Sequence, residues 1–207
     1  MKERWKAAIK DKKFRIHAIA SITLAIILFN TFPRFFEWVE ARHGYVLNDI
    51  VLNAFTPMDV STATFAFLYS GIIFALVFLI PHPKHFLLAF EIYLLMLTMR
   101  IVTIYIVPLN PPSTMLPLED PIGTAIAYGG KFVTKDLFFS GHTGTLCALF
   151  FGMKNNWGKV VVLICVTIVG SCVLLQHVHY TIDVLAAPLI CFILYRIVMI
   201  RWKKDIL

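Results

Sequence analysis

Long stretches of almost uninterrupted apolar sequence run near 16–32, 60–80, 86–107, 137–153, 159–176 and 180–200. Each approaches the ~20 residues a helix needs to cross the hydrocarbon of a bilayer. None alternates apolar with polar positions as a membrane barrel strand does. The pattern predicts an all-α fold, a polytopic membrane bundle of about six transmembrane helices, with residues 1–207 as a single integral membrane domain. The third stretch stays apolar around Glu91 and Arg100, and the fourth opens on a polar motif.

Composition agrees: 59% of residues are hydrophobic, 15% are charged, and the mean hydropathy is +0.78. That excludes an ordinary soluble domain. The first stretch follows a basic segment, yet Asn30-Thr31-Phe32-Pro33 is no small-x-small cleavage site, so a retained helix is expected. Residues 1–13 mix Trp5, Ala7, Ala8 and Ile9 with lysines and read as a cytoplasmic amphipathic helix on a membrane surface or as a frayed basic tail. Cys147, Cys165, Cys172 and Cys191 all fall in predicted spans without a CxxC pair and read as packing residues.

Charge sets an expected orientation. With the N-terminus in the cytoplasm, the inner segments hold seven basic residues from Lys2 to Arg15, then Lys84, Lys154, Lys159, Arg196, Arg201, Lys203 and Lys204. The outer segments hold Arg34, Arg42, Lys131 and Lys135. The asymmetry predicts that both termini are cytoplasmic. The net charge of +7 then meets anionic inner-leaflet lipid and calls for no nucleic acid. Two long extracytoplasmic segments follow. Residues 33–59, rich in aromatics, read as an interfacial helix roofing the site or as a connector; 108–136, rich in Pro and Gly, leads into Asp136 and frames the mouth.

Two motifs lie at the same predicted membrane side: Asp136-x-x-x-Ser140-Gly141-His142-Thr143 and His179-Tyr180-Thr181-x-Asp183. Arg100 lies about two turns before the outer end of the third span, on that side too. Ionisable groups at membrane depth are functional-site hypotheses by default. His179 and Asp183, four residues apart, share a helix face, so the carboxylate can orient the ring and make its other nitrogen a nucleophile. A structural His–Asp pair at a helix end is the simpler alternative. Gly141 permits close backbone approach, while Ser140, Thr143 and helix N-terminal amides can hold phosphate oxygens or simply cap the helix. His142 is then placed to protonate a leaving alkoxide. Arg100 offers charge to a phosphate or pairs with Asp136 or Asp183. Asp136 can orient His142, hold Arg100 or accept from a headgroup. For a choline or ethanolamine group, Glu119, Asp120, Tyr105, Tyr128 and Phe138 are candidates. His177 reads as a solvated interfacial residue or one that reaches a headgroup, His17, His43, His82 and His85 read as interface residues, and Glu91 has no assigned role.

At these two motifs the chain resembles the phosphatidic-acid-phosphatase type 2 superfamily, and more narrowly its sphingomyelin synthase branch. That branch has an Asp-x-x-x-Ser-Gly-His-Thr motif, matched by Asp136 to Thr143, and a His-Tyr-Thr-x-Asp-Val motif, matched by His179 to Val184. Arg100, Tyr105 and Pro108 resemble a third motif loosely, and Pro57-Met58-Asp59 only faintly echoes the first. The resemblance implies that His179 is the nucleophile, Asp183 its partner, and His142 the acid and later base. It implies no metal or other cofactor, with membrane phospholipid and lipid-alcohol substrates as partners. The commoner phosphatases carry a Lys-rich first motif and an Arg upstream of the second histidine; here Val173 stands six residues before His179. The chain is too short for the N-terminal domain of some larger synthases. Headgroup transfer to ceramide or diacylglycerol and hydrolysis by water share these residues. Two histidines on two spans also allow haem ligation, and a non-catalytic lipid-binding protein is a further class.

Overall fold

The computed structural model describes residues 1–118 and 133–206, with side chains to Trp202. Among the described residues there are seven α-helices: α1 (Lys2–Lys10), α2 (Lys12–Ala41), α3 (Ser61–Leu79), α4 (Pro83–Ile106), α5 (Gly141–Gly152), α6 (Asn156–Leu175) and α7 (Thr181–Ile206). A 3-10 turn spans Leu52–Ala54, and the extended structure described is one isolated bridge between Tyr45 and Leu109. The all-α expectation holds. Five helices, α2, α3, α4, α6 and α7, are long and apolar enough to cross a membrane.

The fourth expected span differs. α5 has 12 residues and starts at Gly141 rather than 137. At 1.5 Å per residue it is about 18 Å long, well short of ~30 Å of hydrocarbon. It sits among α3, α4, α6 and α7, and Leu146 and Ala148 are fully buried. Residues leading into it are not helical, which lipid would not tolerate but a protein interior does. Their carbonyls find partners: Arg100 Nε donates to Phe139 O at 2.9 Å and Thr103 Oγ1 to Phe138 O at 2.8 Å.

The first expected span is longer than the apolar run suggests. α2 continues through Pro33 to Ala41. Leu28, Phe32, Phe36 and Val39 form one buried stripe that Pro33 does not interrupt. The side chains of Asn30 and Thr31 satisfy the carbonyls of Ile26 and Ile27 just before it. The helix stops at Arg42, which donates to the carbonyls of Ile104 and Tyr105 at the end of α4. Residues beyond it carry no α-helix until Ser61, so the segment 33–59 is helical in its first part alone.

Helix contact here depends on small residues, since lipid is as apolar as leucine. Gly152 meets Ala89, and Gly71 lies against Leu146 and Cys165. All four cysteines are free and buried, as packing residues would be. α1 folds back: Trp5 Nε1 donates to Ile80 O at 2.7 Å, and its ring packs edge-on against Phe14 and Phe86.

Candidate active site

The two motifs meet at one end of the bundle. His142 lies in the first turn of α5, and His179 stands just before α7. Their ring centroids are 6.3 Å apart, with Phe65 of α3 edge-on to His142 at 6.2 Å. His179 Nδ1 lies 3.4 Å from Asp183 Oδ2, and both side chains are buried. A carboxylate only accepts, so Nδ1 carries the hydrogen and Nε2 keeps its lone pair. The same Asp183 oxygen accepts the Tyr180 N–H at 3.1 Å, while Oδ1 has no partner among the described residues.

Arg100 is 6% exposed and pairs with Asp136. An arginine at mid-helix depth costs about 2.5–3.5 kcal/mol on insertion scales. Charged hydrogen bonds return about 1.5–3 kcal/mol each. With Asp136 and the Phe139 carbonyl both engaged, the site can hold the guanidinium. Of the roles open to Asp136, holding Arg100 is one the structure displays. The guanidinium lies flat against Gly141: a Cβ there would fall 2.5 Å from Nη1 and 2.7 Å from Cζ. A side chain here would displace the guanidinium.

Ser140 caps α5, accepting the Thr143 N–H at 3.4 Å, and its hydroxyl donates to Thr143 Oγ1 at 3.2 Å. Both hydroxyls therefore face each other within the protein. The positive end of α5 opens at Gly141 and His142, beside Arg100. Tyr105 is 64% exposed and stacks on Trp38, on a helix face about 140° from Arg100. The structure does not bring it to the histidines. Glu119, Asp120 and Tyr128 lie outside the described residues, and Phe138 packs in a small apolar cluster with Leu52, Leu109, Leu137 and Tyr180.

Several supports carry no local sequence signal. Asp49 accepts from Thr181 through both oxygens, at 2.6 Å from N and 3.0 Å from Oγ1, and so caps α7 from across the chain. Tyr180 Oη donates to Asn110 O at 2.9 Å and accepts the Leu47 N–H at 3.2 Å. The segment after α2 is thus pinned onto the second motif. Glu40 accepts the Thr134 and Lys135 amides, both at 2.6 Å, and steers the approach to Asp136. His177 corrects an expectation: it is 2% exposed, not solvated. Its φ of 57° turns the ring under Phe55, with Nδ1 2.5 Å from Thr114 Oγ1. Burial lowers its pKa, against the pull of Asp49.

Residues 135–200 match the family model described as PAP2 superfamily C-terminal. The match takes in Asp136, both histidines and Asp183. Over these residues the chain is similar to that superfamily. No curated protein matches the chain.

Proposed function

We propose that this protein is a membrane-embedded lipid phosphotransferase. It moves a phospho-headgroup, of phosphocholine or phosphoethanolamine type, from a glycerophospholipid to a lipid alcohol such as ceramide or diacylglycerol. The observation that carries this reading is the placement of His179, oriented by Asp183, opposite His142 at a centroid separation of 6.3 Å. His179 Nε2 attacks phosphorus, and the P–O bond to the glyceride breaks. The departing oxygen keeps the bonding pair and takes a proton from His142. Arg100 and the start of α5 face the charge on the phosphoryl oxygens. In the second half the acceptor alcohol gives its proton to His142, its oxygen bonds to phosphorus, and the P–N bond breaks.

Burial of His179, Asp183 and Arg100 favours an alcohol over water as acceptor. So does Val173, fully buried where the commoner phosphatases carry an arginine. The basic ends of the helices favour an extracytoplasmic site, since the histidines lie at the opposite end of the bundle from Arg4, Lys84 and Lys154. The test is mass spectrometry of products from headgroup-labelled phospholipid, with and without ceramide or diacylglycerol. Label on the acceptor lipid is expected. Free phosphate or free phospho-headgroup in the presence of acceptor would mean hydrolysis instead.

A further inference from the structure

A second polar concavity lies at the other end of the bundle. His85 and Arg100 are fifteen residues apart on α4, about 22 Å. There a cleft of about 530 Å³ is walled by α1, His82 with the start of α4, and Lys154 beyond α5; Arg4, His82, Lys84, His85 and Lys154 line it, with Asp11. The one carboxylate among these, Asp11, caps α2 by accepting the Lys13 N–H at 2.9 Å. Both imidazoles are held in one tautomer. His82 Nδ1 bonds the Phe78 carbonyl at 3.0 Å and His85 Nδ1 the Gly152 carbonyl at 3.1 Å. A carbonyl only accepts, so each Nδ1 donates, and His82 Nε2 in turn accepts from Arg4. Arg4 is fixed at the rim, 3.3 Å from both Pro81 O and His82 Nε2. The cleft continues into a second of about 440 Å³ whose wall adds Phe78, Leu79 and Met153.

We propose that this cleft binds the phosphate headgroup of an anionic lipid, in the leaflet opposite the catalytic histidines. Three cationic side chains from separate segments line one concavity, which suits a compact multivalent anion. The apolar continuation suits an acyl chain and distinguishes a lipid from a free phosphate.

The test uses full-length H179A in detergent, so that neither turnover nor a membrane surface contributes. Native mass spectrometry counts bound phosphatidic acid against phosphatidylcholine. One phosphatidic acid is expected to bind at this cleft in preference to phosphatidylcholine. Its affinity should fall about five-fold with K154Q, at an exposed position, and recover with K154R. K10Q, an exposed change outside the cleft, should have no effect. Equal losses with K10Q and K154Q, no preference over phosphatidylcholine, or displacement by millimolar inorganic phosphate would each overturn the proposal.

Discussion

The main-chain N–H of Ser140 donates to the main-chain carbonyl of Asp183 at 3.1 Å. The bond joins the residue that caps α5 to the residue that orients His179. The two halves of the site are therefore one hydrogen-bonded unit, independent of any substrate. A displacement of either helix start moves both histidines.

Gly141 tests how tightly that unit is built. In G141A the new methyl meets the Arg100 guanidinium, which must shift from Phe139 and Asp136. Turnover is expected to fall about 100-fold, the scale of a 1 Å misplacement. Melting in detergent should move by only a few degrees. Near-normal turnover would show that the Arg100 position is not used.

The two histidines should separate by leaving group. H179A is expected to abolish turnover of every substrate. H142A should lower turnover of natural phospholipid by about 10²–10⁴-fold. With a nitrophenyl phosphodiester, whose leaving group needs no proton, H142A should release about one equivalent of nitrophenol in a burst and then stall. Stopped-flow absorbance reads this directly, and a burst from H179A would reverse the roles.

Asp49 gives a pH signature. Partial burial raises its pKa, but the hydrogen bonds from Thr181, Leu52 and Val51 outweigh that and hold it below the ordinary 3.8. A carboxylate depressed on folding contributes stability above its unfolded pKa and loses it as pH falls through the folded value. D49N should therefore melt earlier than the parent at neutral pH, by about 1 kcal/mol as for a lost helix cap. The gap should close below about pH 3.8. A gap that persists unchanged into that acid range would mean that the charge is irrelevant.

Glu91 should matter for assembly rather than chemistry. It accepts from Trp202 Nε1 at 2.7 Å and bonds His17 Nδ1 at 2.6 Å, clamping α2, α4 and α7 together. E91Q should cost about 1–3 kcal/mol of stability, seen in detergent unfolding. Turnover per folded molecule should be unchanged.

Apolar run length and local spacing made the five long helices and both motifs readable. Each of those signals lies within a single turn or a single span. The remainder depends on contacts between distant segments. Nothing near Asp49 announces that it caps a helix 132 residues later. Glu91 had no visible partner because His17 stands 74 residues earlier and Trp202 111 residues later. α2 passes Pro33 because Phe36 and Val39 find a core beyond it, a fact of packing. The fourth run misled for the opposite reason: Leu137 and Phe139 are apolar because protein surrounds them, not lipid.

The brevity of α5 sets the level at which the two motifs meet. Arg100 lies six residues, about 9 Å, below Ile106, the last residue of α4, and Gly141 at the start of α5 is level with it. On the proposed reaction, a phospholipid must sink from among its neighbours before its phosphorus meets His179. Any water that competes must make the same descent without a hydrocarbon tail to follow it in. The length of one helix, set by where Gly141 begins it, would then govern whether the phosphoryl group is handed on or lost.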